Sequence, residues 1–275
     1  MLEVALMSIR YTTRGSGEDL VIFLHEWLGD SQNWEAIFPY LPTTGYRHVF
    51  ADLRGYGLSK DISGSYTLDE AAADVFALTR QFNSNHFAIV AHSMSGLIAQ
   101  HISHTHRDSV RGMMLISPVP ASGFRMDAAA FARLIAVTTD DNAAREAISA
   151  RTGGRYGPTW LERKLSMARA AASADAMKGY AQMFTQSDIT AQVKGLSTPI
   201  TILTGAYDIP IYKKESVLNL FGALYSNVTI DECLEAGHYS MLEAPIFTAA
   251  KIEIFLEKLP SNTNALNRGA SGAAV

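Results

Sequence analysis

Residues 86–96, HFAIVAHSMSG, constrain the fold of this chain more than any other stretch. An apolar, β-prone run from Phe87 to Ala91 ends at His92-Ser93-Met94-Ser95-Gly96, and a helix-like segment, LIAQHISH, follows without a linker. A strand that becomes a helix within one residue strains the backbone there, and bulky side chains two positions either side would collide across the turn. Small residues stand at both places, Ala91 before and Ser95 after the central Ser93. This is the small-x-Ser-x-small form of a nucleophile elbow, with Ala and Ser where the usual pattern has Gly. Such a turn holds the Ser93 hydroxyl clear of the sheet. It also aims the Met94 N–H, at a helix N-terminus, at any oxyanion formed there. The same pentapeptide fits a plain strand-to-helix turn with a capping serine, so the rest of the chain has to decide between the two.

The 275 residues suit one large α/β domain or a domain carrying an insertion. With 48% hydrophobic and 18% charged residues, a large core is expected and disorder is not. A net charge of −4 leaves no electrostatic footprint for nucleic acid or an anionic membrane surface. A single cysteine, Cys233, excludes an internal disulfide framework and reads as a buried thiol on the last strand. No basic segment with a long apolar stretch opens the chain, and no apolar run reaches the roughly 18 residues that a membrane span needs. These features read as a soluble, reduced, cytoplasmic protein.

Residues 3–14 alternate enough to predict one or two strands, and Gly15-Ser16-Gly17 is a turn. Residues 20–25 form a near-continuous apolar run, the pattern of a strand buried on both faces of a parallel sheet, and 47–52 and 110–117 repeat it. Thr67 and Glu70 make a capping box, and Leu68, Ala72, Val75 and Phe82 predict an amphipathic helix over 68–82. The buried-strand pattern returns at 199–204 and 227–233, and a last helix is expected over 242–258. Strands alternating with helices imply a parallel sheet with right-handed crossovers. From Pro118-Val119-Pro120 to 190 the chain turns Ala-, Arg- and Met-rich with helical spacing, which predicts three or four helices. The domain reading is therefore an α/β core from 1–120 and 191–259, an inserted helical cap at 121–190, and a disordered polar tail at 260–275.

A serine hydroxyl is a poor nucleophile until a base takes its proton and a third group orients that base. Asp208 follows the strand 199–204 in Gly205-Ala206-Tyr207-Asp208, and His238 follows the last strand in Ala236-Gly237-His238-Tyr239. The order Ser, Asp, His is that of an elbow serine on a parallel sheet, and the C-terminal strand ends are where open α/β sheets place ligands.

Taken together, LHEWLGDSQNW, DLRGYGLS, AHSMSG, TGAYD and AGHYSMLEAP resemble the α/β-hydrolase superfamily over roughly residues 5–258. The resemblance implies a mostly parallel central sheet flanked by helices, with the helical cap shaping the substrate pocket. It implies Ser93 as nucleophile, His238 as general base and acid, Asp208 as the orienting carboxylate, and the N–H groups of Met94 and Trp27 as the oxyanion hole. The chain departs from the pattern at Glu26, where a glycine usually follows the histidine of the first motif. A carboxylate a few ångströms from an oxyanion opposes it by roughly 4 kcal/mol at an effective dielectric near 20, as much as a hole donor contributes. Glu26 is therefore expected to turn outward, to pair with a cation such as Arg54, or to be protonated. Glu26, Trp160 and Tyr239 are expected to border the substrate.

The leading functional reading is an acyl hydrolase acting on an ester, thioester or lactone of a small, largely apolar substrate. The competing reading is a cofactor-free dioxygenase, perhydrolase or lyase using the His238–Asp208 dyad. The cofactor-free dioxygenases carry their acid after the strand that follows the elbow helix, where this chain has Ile116-Ser117-Pro118. A ligand receptor that keeps a slow triad is the third. His92 is expected to point away from the nucleophile, and His101, His104 and His106 lack the carboxylate or thiol that would complete a metal site. No cofactor, metal, nucleic acid or membrane partner is expected, and a homodimer is left open. Nine Lys and Arg against seven Asp and Glu in the insertion lend slight support to an anionic substrate.

Overall fold

The computed structural model describes residues 9–259. Its first half contains the strands β1 (Tyr11–Arg14), β2 (Asp19–Leu24), β3 (Tyr46–Ala51), β4 (Phe87–His92) and β5 (Val110–Ile116), with helices α1 (Leu68–Arg80) and α2 (Met94–Thr105). Five helices follow: α3 (Ala128–Ala136), α4 (Asp141–Ala150), α5 (Pro158–Ala171), α6 (Ala174–Gln186) and the single turn α7 (Thr190–Val193). The chain closes with β6 (Ile200–Gly205), α8 (Lys214–Gly222), β7 (Val228–Cys233), α9 (Ser240–Glu243) and α10 (Pro245–Glu257). The seven strands form one sheet in the order β1-β3-β2-β4-β5-β6-β7. Only β1 runs antiparallel; the other neighbours pair in parallel. This is the α/β-hydrolase fold, and β4, the elbow strand, sits at its centre, every residue of it buried.

Each expected buried strand lies within one residue of its place, because a two-sided apolar run can satisfy its backbone only inside a covered sheet. The expected early strand is β1; residues 3–8 and the expected tail 260–275 lie outside the described residues. Helix α1 ends at Arg80, and its capping differs from the box expected. Thr67 Oγ1 accepts from the Glu70 N–H, while the Glu70 carboxylate takes the N–H groups of Ser65 and Tyr66. Among the described residues no strand of the sheet falls between Ser117 and Pro199. The helices there begin at local start signals: Asp127, Asp140 and Ser173 cap α3, α4 and α6, and Pro158 opens α5. Cys233 is buried at the end of β7. No helix of the described residues is long and apolar enough to cross a membrane.

His48 is a polar residue inside this core. From β3 it faces Phe23 of β2 and Tyr46 and Phe50 of its own strand, and neither ring nitrogen hydrogen-bonds another group of the described residues. Burial lowers its pKa from 6.5 to about 4. The folded state therefore refuses a proton that the unfolded state binds, so this group's destabilising effect appears as pH falls from 6.5 and is complete near 4. Between pH 7 and 5 the loss is about 2 kcal/mol. Replacing His48→Leu should flatten the fall in unfolding free energy over that interval by this amount; an unchanged slope would show that His48 accepts its proton in the folded state.

Candidate active site

Ser93 sits between β4 and α2 at φ 53° and ψ −112°, a left-handed conformation that L-residues rarely adopt. Neighbouring backbone pins it: its N–H donates to Ile116 O at 2.9 Å, and its C=O accepts from Gly96 N at 2.9 Å and Val119 N at 3.0 Å. The position that admits no side chain is Gly96, where a Cβ would lie 2.6 Å from the Pro118 Cβ. Ser95 is more than a small residue. Its hydroxyl donates to the His25 C=O, tying the start of α2 to the loop after β2.

His238 brings the two expected partners together. Its Nε2 accepts from the Ser93 hydroxyl at 2.9 Å, and its Nδ1–H donates to Asp208 Oδ2 at 2.7 Å, with all three residues buried. Asp208 Oδ1 also accepts from the Ile209 N–H at 2.7 Å, so the carboxylate is held at both oxygens. The glycine of TGAYD has a steric reason: a Cβ at Gly205 would lie 1.9 Å from the Gly237 O. The glutamate of AGHYSMLEAP braces the histidine loop. Glu243 accepts from the N–H groups of Gly237 and Tyr239, each at 2.9 Å, and pairs with Arg155 at 2.6 Å. His92 braces it from below, its Nε2–H donating to the His238 C=O at 2.8 Å. Burial, and then the neighbouring His238, push the His92 pKa down to about 3, so this ring is a neutral donor.

The loop 25–28 is equally constrained. The Leu53 N–H donates to His25 Nε2, which leaves the proton on Nδ1, and that N–H donates to the Glu26 C=O at 2.8 Å. Trp27 is fixed at both ends: its indole N–H donates to Met177 O, and its C=O accepts from the Tyr56 hydroxyl. The backbone N–H groups of Trp27 and Met94 bond no other group among the described residues, and both residues line the same cavity as Ser93.

Glu26 is buried and ionised. Burial alone would raise its pKa, but the Lys164 ammonium and the Leu28 N–H overturn that and hold it at about 2. Lys164 Nζ lies 2.8 Å from Glu26 Oε1 and 2.6 Å from the Leu28 C=O; the Leu28 N–H donates to Oε2 and the Asn33 amide to Oε1. The compensating cation thus comes from α5 and not from Arg54, which pairs with Asp74 at 2.6 Å. Nothing in the local sequence marks Lys164 as that partner.

A cavity of about 260 Å³ opens over Ser93. Its walls are mostly apolar, with Leu28, Val119, Phe124, Leu134, Phe184 and Ile209 among them, and the helical segment supplies Phe124, Leu134, Arg151 and Phe184. Glu26 lines it, whereas Trp160 and Tyr239 are not among its lining residues. Trp160 stacks on Tyr156, and Tyr239 is fully buried behind it with the Lys164 ammonium 4.7 Å from its ring centre. An aromatic pattern does not distinguish pocket from core, and here packing claimed both rings. Tyr212 was not singled out by the sequence, yet its ring packs 4.6 Å from that of His238 and its hydroxyl faces Ser93. Burial pushes its pKa far up, so it remains a neutral donor. His101 is buried, with Nε2 2.7 Å from Asp69.

Comparison with known proteins agrees with this architecture. The family model of the α/β-hydrolase fold matches residues 19–245, and the chain belongs to that family. It is an enzyme of this family. Over 215 residues, 70% of this chain and 76% of the relative, it is 25% identical to a non-heme chloroperoxidase from Burkholderia pyrrocinia. The fold matches an esterase from Exiguobacterium antarcticum with a TM-score of 0.80 at 18% identity, covering 91% of this chain and 96% of that one. It matches the enol-lactonase from Burkholderia xenovorans LB400 with a TM-score of 0.76 at 19% identity, over the same shares of both chains.

Removing one partner of a buried pair leaves the other charge without compensation, at a cost of about 3–5 kcal/mol. Lys164→Met should lower the unfolding free energy by that amount, and adding Glu26→Gln to it should recover most of the loss. Denaturant unfolding of the single and double variants measures both. A Lys164→Met protein as stable as the parent would break the assignment of Lys164 as the counter-charge.

Proposed function

We propose that this enzyme is a serine hydrolase that cleaves an ester, thioester or lactone bond of a small, largely apolar substrate through an acyl-enzyme. The observation that carries the reading is the continuous chain from Ser93 Oγ through the His238 ring to Asp208, with spacings of 2.9 and 2.7 Å, beside a mostly apolar cavity. A volume of about 260 Å³ is at the small end for ligand pockets, which run from about 300 Å³ upward, and favours a compact substrate.

In the first half-reaction His238 Nε2 takes the Ser93 proton as Oγ bonds to the substrate carbonyl carbon. Asp208 stabilises the imidazolium and keeps the proton on Nδ1. The negative charge on the carbonyl oxygen meets the N–H groups of Trp27 and Met94. His238 then protonates the leaving oxygen or sulfur, and the acyl group stays on Ser93. Water, deprotonated by His238, breaks that bond and restores the serine. The Glu26 carboxylate does not oppose the oxyanion, because Lys164 neutralises it at 2.8 Å.

A second reading has the chloroperoxidase similarity in its favour. Hydrogen peroxide in place of water at the acyl-enzyme would release a peracid through the same residues. The dyad-only dioxygenase reading is weaker, since β5 is followed by Ser117, not by an acid.

Ser93→Ala should retain the fold and lower turnover of short p-nitrophenyl esters by at least about 1,000-fold, because triad members act as a unit. Adding hydrogen peroxide to the parent enzyme separates the two fates of the acyl group. Near-normal ester turnover by the Ser93→Ala protein would reject nucleophilic catalysis.

A further inference from the structure

The charges around Ser93 are not all used by the hydrolytic machinery. Glu26 and Lys164 compensate each other, and Asp208 is bonded to His238 and to the Ile209 N–H. Arg151 remains. It follows the last turn of α4 and lines the cavity with Ser93, Tyr212 and Glu26. Its backbone is locked in place: its C=O accepts from the His238 N–H at 2.8 Å, and a Cβ on Gly237 would lie 2.3 Å from that oxygen.

Its guanidinium is not locked by an anion. One nitrogen, Nη1, donates to the Ala147 C=O at 3.0 Å, and the other donors have no acceptor among the described residues. No carboxylate there lies within 4.0 Å of it, although Asp208 and Glu26 are near enough to attract it. An arginine carries five N–H donors in a planar fork that matches a carboxylate. The half-buried guanidinium therefore leaves Nε and Nη2 to water at the edge of an apolar cavity, and an anionic ligand group would replace that water with a charge-assisted pair.

We propose that Arg151 is a specificity-determining residue that binds a free carboxylate on the acyl part of the substrate. The enzyme would then act on a half-ester, half-thioester or lactone of a small carboxylic acid bearing a second acid group, and release a dicarboxylate. The acyl part is the one read because it stays on Ser93 inside the cavity after the alcohol has left. One guanidinium suits a singly charged carboxylate better than a doubly charged phosphate. This inference rests on the hydrolase reading for its substrate, but not for the binding of the carboxylate.

Two p-nitrophenyl esters of equal chain length test it: the hemi-glutarate, which ends in a carboxylate, and the valerate, which ends in a methyl group. The parent enzyme should favour the hemi-glutarate in kcat/KM. Arg151→Met should lower the ratio of the two kcat/KM values by about 10- to 100-fold, the worth of a hydrogen bond to a charged group, chiefly through KM. Arg151→Lys should keep part of the preference. Equal losses on both esters, or a parent enzyme that favours the valerate, would overturn the proposal. Calorimetric binding of glutarate to the same proteins separates the two claims. If neither ester is turned over while glutarate binds the parent and not Arg151→Met, the hydrolase reading fails and the carboxylate site stands. Equal glutarate binding by both proteins, or none by either, rejects the site.

Discussion

The left-handed backbone at Ser93 is the constraint on which the rest of this molecule depends. A residue held at φ 53° costs on the order of 1–3 kcal/mol, and it persists only where the surroundings over-determine it. Here β4 delivers the residue from the centre of a buried sheet, Ile116 and Val119 fix its two backbone groups, and Gly96 lets Pro118 approach. Ser95 adds a bond to His25 that a glycine at the same place would lack. The elbow and the loop bearing Trp27 are therefore held together as one unit, which is what the proposed oxyanion site would need: donors already in place when the charge forms.

Around that unit most of the buried charges are compensated by a neighbour. Glu26 would oppose an oxyanion, and Lys164 cancels it from across the cavity wall; in doing so the pair fastens α5 to the loop after β2. Asp208 answers His238, and Glu243 answers Arg155 while holding the histidine loop by two backbone N–H groups. The neutral His92 donates to the same loop from beneath. Arg151 has no carboxylate within salt-bridge distance among the described residues, which is the opening for the proposed ligand carboxylate.

The sheet and the placing of Ser93, Asp208 and His238 at strand ends were legible in the sequence because each depends on local pattern. A two-sided apolar strand reveals itself within six residues, and Ser93, Asp208 and His238 each stand just beyond the end of one. The residues that tune the site were not legible in that way. Lys164 meets Glu26 across 138 residues, and on its own helix it is one basic residue among several. Arg54 was the nearer cation in sequence, but Asp74 already holds it with both oxygens. Trp160 and Tyr239 carry the aromatic character of a pocket wall, yet the packing of α5 turns them onto each other. Pairing between distant helices is set by tertiary packing, which periodicity does not encode.

If Ser93 is the nucleophile, it carries the acyl group during turnover. Rapid quenching of the enzyme during turnover of a p-nitrophenyl ester, followed by mass spectrometry of the peptide containing residues 86–96, tests it most directly. The expected result is a mass increase equal to the acyl group, located on Ser93 and absent from the Ser93→Ala protein. Product formation with that peptide unmodified at every time point, or an adduct on a different residue, would contradict it.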